Sequence, residues 1–364
     1  SVTSRRRRAP FAAILLVVML PPSILWSQVS VAPDAISDLT VRLQSTGGGP
    51  LGGALVALVD ARDSVVAEGL STEEGRRVLR APAGTYRVRT RRIGFLPFIS
   101  HPVVLPRREE LLLIVETPSV VLNSIVVNAK SGCKPSDSDS GPLGVVWDEI
   151  DKALRASQLT TQDLAGFGQA RLYRKELGYN GAVLSSDTTF FPITNRRPFG
   201  TRDPEVLALR GYVLGDHVLG WDYVGPDETV LRSEAFARTH CFRLVREAAR
   251  PGQIGVAFEP IPRHNIPDIK GVLWVDHRTS ELREMSFNYV NAGPVSQFNG
   301  GGFTRFMHLP SGAWLVSEWL LKAPRLEIRT SPYSPPRYSV LGYIENGGGI
   351  LPTTQPVLPK RSVP

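Results

Sequence analysis

The chain is poor in cysteine, lysine and methionine, and it lacks any long uninterrupted apolar run. Two cysteines in 364 residues exclude a disulfide-dense scaffold, and with no C-x-x-C pair they exclude a structural zinc finger. Lysine occurs seven times against 35 arginines, a ratio that reads as genome composition rather than function. A hydrophobic content of 42% with 21% charged residues excludes both a polytopic membrane protein and a mostly disordered chain.

Catalytic signatures are also missing. The six histidines, His101, His217, His240, His264, His277 and His308, form no H-E-x-x-H, H-x-H or H-x-x-x-H pattern. There is no G-x-S-x-G elbow, no phosphate-binding G-x-x-x-x-G-K-[ST] loop, and no G-x-G-x-x-G opening a helix after a strand. His240-Cys241 would point to opposite faces of a strand. Asp216-His217 and Asp276-His277 are each half of a triad at most. Glu259, Glu281 and Glu284 show no distinctive pairing. The expectation is a non-enzymatic protein with no cofactor and no metal site; a cryptic hydrolase is the second alternative.

Glycine and proline are abundant, 33 and 30 residues, which favours turns and β-structure. Arg5–Arg8 precede an apolar run from Ala9 to Leu20, then Pro21-Pro22. This is the pattern of a secretory signal, with Ser27 and Ala32 as candidate cleavage positions. Read on to Trp26, the run reaches about 18 residues, so an uncleaved anchor is the alternative. Residues 1–32 are assigned to this leader, and the protein is expected in the periplasm or at the outer membrane. Without the four leader arginines the net charge falls from +8 to +4, too weak an excess for a nucleic-acid partner. Export makes a Cys133–Cys241 disulfide the favoured reading over two unpaired buried thiols.

Residues 37–129 read as about seven short strands with Gly/Pro turns, a small β-sandwich. Arg87, Arg89 and Arg91 fall on one strand face. They are a candidate anion-binding stripe, or else a solvated sheet face. Residues 130–142 read as a linker, and Leu143–Ser157 as a helix with Leu143, Val146, Trp147, Ile150 and Leu154 on one face. Asp187–Asp203 reads as a loop and Thr229–Ser233 as a strand. Two hairpins, Ile269–Val290 and Gly302–Lys322, predict a large antiparallel sheet covered by that helix in residues 143–346. Residues 347–364 read as a disordered tail. Trp221, Trp274, Phe287, Phe303, Trp314 and Trp319 are candidates to line an apolar ligand cavity; ordinary core is the competing reading.

Three stretches resemble known families. Gly49-Pro-Leu-Gly-Gly-Ala-Leu-Val56 with Pro82-Ala-Gly-Thr-Tyr-Arg-Val88 and Gly94-Phe95 resembles the carboxypeptidase regulatory-like domain. That resemblance implies a non-catalytic prealbumin-like sandwich of the carbohydrate-binding-like group. Val121-Leu-Asn-Ser-Ile-Val-Val-Asn-Ala129 is similar to the segment following such a domain in TonB-dependent receptors, although the remaining chain is too short for a 22-stranded barrel. Gly271-Val-Leu-Trp-Val-Asp-His-Arg-Thr-Ser-Glu-Leu282 resembles a hairpin of uncharacterised bacterial envelope proteins and, more distantly, lipoprotein-carrier half-barrels. These resemblances imply a lipid or other apolar ligand for the second unit. For the first they imply docking to a glycan or outer-membrane protein. A structural or adhesion module is the first alternative.

Overall fold

The computed structural model describes residues 36–116, 122, 141–163, 168–193, 201–216, 220–262, 264–309 and 312–352. The leader, Cys133 and residues 130–140 of the expected 130–142 linker lie outside the described residues, while Gly141 and Pro142 open a helix instead. No helix of the described residues is long and apolar enough to cross a membrane.

The first unit contains β1 (Ile36–Ser45), β2 (Leu55–Val59), β3 (Val65–Leu70), β4 (Arg76–Pro82), β5 (Gly84–Arg91), β6 (Phe98–Ile99), β7 (Val103–Leu105) and β8 (Leu111–Val115). One sheet has the order β4-β1-β8; the other has β3-β2-β5-β6, with β7 also paired to β5. That is a sandwich of eight strands rather than seven, because Phe98–Ile99 form a short rung of their own. Leu39, Val41 and Leu43 alternate inward along β1 and meet Val56, Leu58 and Val88 of the facing sheet.

The second unit opens with α1 (Gly141–Asp163), followed by β9 (Gly168–Gly178), β10 (Val183–Pro192), α2 (Pro204–Arg210), β11 (Val213–Asp216) and β12 (Gly220–Tyr223). Then come α3 (Glu228–Leu231), α4 (Glu234–Thr239), β13 (His240–Val245), β14 (Gln253–Pro260), β15 (Asp268–Asp276) and β16 (Leu282–Val290). The chain closes with β17 (Gly301–His308), β18 (Trp314–Ser331) and β19 (Ser334–Pro352). Nine strands form one antiparallel sheet in the order β10-β9-β19-β18-β17-β16-β15-β14-β13. The expected mainly β class, with a large antiparallel sheet and a long helix, is what the chain adopts.

Three local readings are corrected. Asp187–Pro192 belong to β10, because the β-favouring run Thr188-Thr189-Phe190-Phe191 pairs with β9. Residues 228–231 are helical, with Asp227 accepting from the Val230 N–H at 2.9 Å as the N-cap. Gly347–Pro352 are not tail but the end of β19, paired with β9 and, through Gly347 and Gly348, with β18. The glycines there serve close approach: a Cβ at Gly347 would lie 2.3 Å from the Tyr173 ring.

α1 has two working faces. Val146, Ile150 and Leu154 are fully buried in the main core under the sheet. The opposite face meets the sandwich. Arg91 donates to Asp148 at 2.7 Å and Asp151 at 2.9 Å, and the Gly94 N–H donates to Glu149 at 2.7 Å. Lys152 donates to the Phe95 carbonyl at 2.9 Å and Glu149 at 2.7 Å. Leu55 and Leu70 of the sandwich complete the core of the second unit. At the same junction Gly53 and Gly312 abut so closely that a Cβ on Gly53 would lie 1.9 Å from the Gly312 carbonyl oxygen.

Candidate functional site

The six candidate aromatics do not converge on one cavity. Phe287, Trp314 and Trp319 are buried in the packed core between α1 and the sheet. Strand alternation puts Trp274 on the other face from its core-facing neighbours Leu273 and Val275, and the Arg250 guanidinium covers its ring at 4.9 Å. Phe303 is likewise capped by Arg305 at 4.3 Å. An Arg250–Glu284–Arg305–Glu318 chain of ion pairs links the two caps. Of the six, Trp221 borders an open groove, and Trp314 reaches the edge of a second cleft at the junction of the two units.

That groove has a volume of about 630 Å3 and lies where β12 crosses the long β18–β19 ribbon. Its floor is Leu321, Ala323, Leu326, Ile328 and Ile344, with the exposed Leu341 at one side and Trp221 and Tyr223 as a wall. The floor arises from strand period: Ala323 pairs with Ile344 and Leu321 with Asn346, which pairs in turn with Arg174 on β9. The Tyr223 hydroxyl reaches the Pro324 carbonyl at 3.4 Å, and its ring lies 5.5 Å from that of Tyr289. Burial pushes the Tyr223 phenol up to about 12, so the wall is uncharged at neutral pH. Arg174 and Arg325 lie on the rim with Asp222; Arg325 pairs with Glu176, Asp222 with Arg202, and Arg174 donates to Asn346 at 3.3 Å. The size falls within the range of small-molecule sites.

The arginine stripe is divided by the fold. All three side chains do share one face of β5, but Arg87 pairs with Asp63 at 2.6 Å and Arg91 is consumed by α1. A second cleft, of about 280 Å3, opens at the junction between Arg92–Phe95 and the β15–β16 turn. It brings His308 3.6 Å from Glu281, with the His308 ring stacked on Trp314 at 5.2 Å. Burial lowers the His308 pKa below 6.5, against the pull of Glu281 and with help from Arg92 and Arg283. Ser280, beside them, is 1% exposed and offers no accessible hydroxyl. Asp276 closes that turn, accepting from the Arg278 and Thr279 N–H groups at 2.9 and 3.0 Å.

Sequence inspection missed one histidine cluster. His240 and His264, 24 positions apart, flank buried Asp268 at 3.2 and 2.8 Å. His264 reaches Asp268 through local i,i+4 spacing, while the pairing of β13 with β14 and β14 with β15 brings in His240. No group of three potential ligands suited to a metal occurs among the described residues. Asp216 and His217 lie outside the described side chains. Cys241 is buried at the start of β13, and no free cysteine is found among the described residues.

No family model matches the chain, and no curated protein matches it. Among solved structures it is similar to a DUF3823 family protein from Parabacteroides merdae ATCC 43184. The identity is 10%, over 62% of this chain and 92% of that one, with a TM-score of 0.19. A likeness of that size supports no statement about fold or function.

Proposed function

We propose that this chain is an exported, non-enzymatic envelope protein that binds an apolar or lipid-like ligand in the groove beside Trp221. The observation that carries the reading is an apolar floor on β18 and β19 walled by two aromatics and rimmed by arginines. That arrangement suits an acyl chain bearing an anionic head. The carboxypeptidase regulatory-like resemblance supports a docking role for the sandwich, toward a glycan or an outer-membrane protein. The leader pattern supports a periplasmic or outer-membrane location. A Cys133–Cys241 disulfide belongs to the same proposal; in the chain-entropy model a loop of that length would contribute about 4–5 kcal/mol. A second reading, an adhesion module acting through the sandwich, is favoured by the densely packed core between α1 and the sheet.

The groove is tested with a dansyl-labelled fatty acid, whose fluorescence is excited by energy transfer from nearby tryptophan. The wild-type protein is expected to bind it. Leu341→Glu, at a side chain 48% exposed, should leave folding intact and weaken binding about tenfold, or roughly 1.4 kcal/mol. Absence of binding, or equal binding by L341E, would overturn the assignment.

A further inference from the structure

A third cleft, of about 350 Å3, opens between the sandwich and the helical layer. Its apolar floor comes from β2 and β3; its walls carry Arg89 and Arg91 of β5, Arg155 of α1 and Arg232, the C-cap of α3. These four arginines come from three separate parts of the chain, which is why no sequence motif announced them.

The local charge balance leaves a surplus cation. Arg91 is held by Asp148 and Asp151, Arg232 by Asp151, and Arg155 by Glu68. The Arg89 side chain has no ion pair or hydrogen bond among the described residues, although it lines the cleft. Gln158 holds two guanidiniums side by side. Its Oε1 accepts from Arg155 Nη1 at 2.9 Å and from Arg232 Nη1 at 3.0 Å. Its amide nitrogen donates to Thr229 Oγ1 at 3.0 Å, which fixes the oxygen toward the arginines. Two cations sharing one neutral acceptor repel each other: burial and then the Arg232 charge both lower the Arg155 pKa. An oxyanion placed among Arg89, Arg155 and Arg232 would relieve that repulsion, and guanidinium forks match phosphoryl oxygens in geometry.

We propose that this junction cleft binds a phosphoryl group, held by Arg89, Arg155 and Arg232, and thereby bridges the two units. The site is independent of the Trp221 groove. It is tested on the whole exported chain by thermal unfolding in inorganic phosphate against sodium chloride of equal ionic strength. Phosphate should raise the Tm, with a Kd on the order of 1 mM for the free ion. Arg89→Gln should weaken binding about tenfold and leave the fold intact, since the Arg89 guanidinium holds no ion pair or hydrogen bond among the described residues. Arg87→Gln, on the same strand face but paired with Asp63, should leave it unchanged. Vesicles of phosphatidylcholine with phosphatidic acid identify the source. Co-sedimentation displaced by inorganic phosphate assigns a lipid headgroup. Phosphate binding without co-sedimentation assigns a soluble phosphorylated ligand. No phosphate shift beyond that of chloride, or the same shift in R89Q, would overturn the proposal.

Discussion

His308 shows how much of a residue's chemistry depends on neighbours distant in sequence. In the chain it ends a strand without any metal or triad spacing. In the fold it stacks on Trp314, faces Glu281 and shares a cleft with Arg92 from the other unit. Its pKa in the folded state lies below the ordinary 6.5, so the unfolded chain takes up a proton first as the pH falls. The stability this neutral ring contributes is therefore complete above pH 6.5 and lost as pH drops toward the folded value. We expect His308→Gln to remove that component of the pH dependence just below 6.5, measured by urea unfolding at a series of pH values. An unchanged slope in H308Q would show that the ring is not desolvated as described. Trp274 and Phe303 teach the complementary lesson. Their aromatic identity was legible, and so was their alternation, but the arginine caps that make their outward placement tolerable come from other strands.

At the scale of elements, α1 was legible on one side only. Leu143, Val146, Trp147, Ile150 and Leu154 follow helical spacing, and all pack on the sheet core. The other face, Asp148, Glu149, Asp151, Lys152 and Arg155, is charged and by composition reads as solvated. The sandwich covers it instead, and Glu149 and Lys152 are each only 1% exposed. Burial pushes the Glu149 carboxyl up. Burial also acts upward on Asp148, but Lys152 and Arg91 outweigh it and hold that carboxyl below its ordinary range. A buried pair of this kind is costly to break and cheap to replace. Lys152→Ala is expected to destabilise the protein by about 3 kcal/mol in urea, because it strands Glu149 without its cation. The double substitution Glu149→Leu with Lys152→Met should be less destabilised than K152A, keeping a loss of about 1 kcal/mol each for the Gly94 N–H and the Phe95 carbonyl left without their partners. A harmless K152A would contradict the buried junction. The β18–β19 ribbon was legible only in its first part, where Gly302–Lys322 reads as a hairpin; its continuation to Ser331 and the return strand Ser334–Pro352 had no reading as strands. The glycine triplet at its end imitates a disordered tail by composition alone.

At the scale of the molecule, Gly/Pro-punctuated short strands make a sandwich followed by a large antiparallel sheet readable from the sequence. How the two units meet was not readable. Their contact depends on Gly53 abutting Gly312, on Arg91 reaching α1, and on Leu55 and Leu70 entering the core of the second unit. Each half of those contacts looks unremarkable in its own stretch of sequence. The groove shares this origin. Trp221 was recognised as a candidate, but its companions Leu326, Ile328 and Ile344 lie about a hundred positions onward and were unassigned. The most direct test of the binding account is native mass spectrometry of the chain recovered undenatured from a periplasmic host. The account predicts a co-bound apolar mass that organic extraction removes and that is absent from Trp221→Ala recovered in the same way. A clean apo mass for the wild-type chain, or the same adduct retained by W221A, would contradict it.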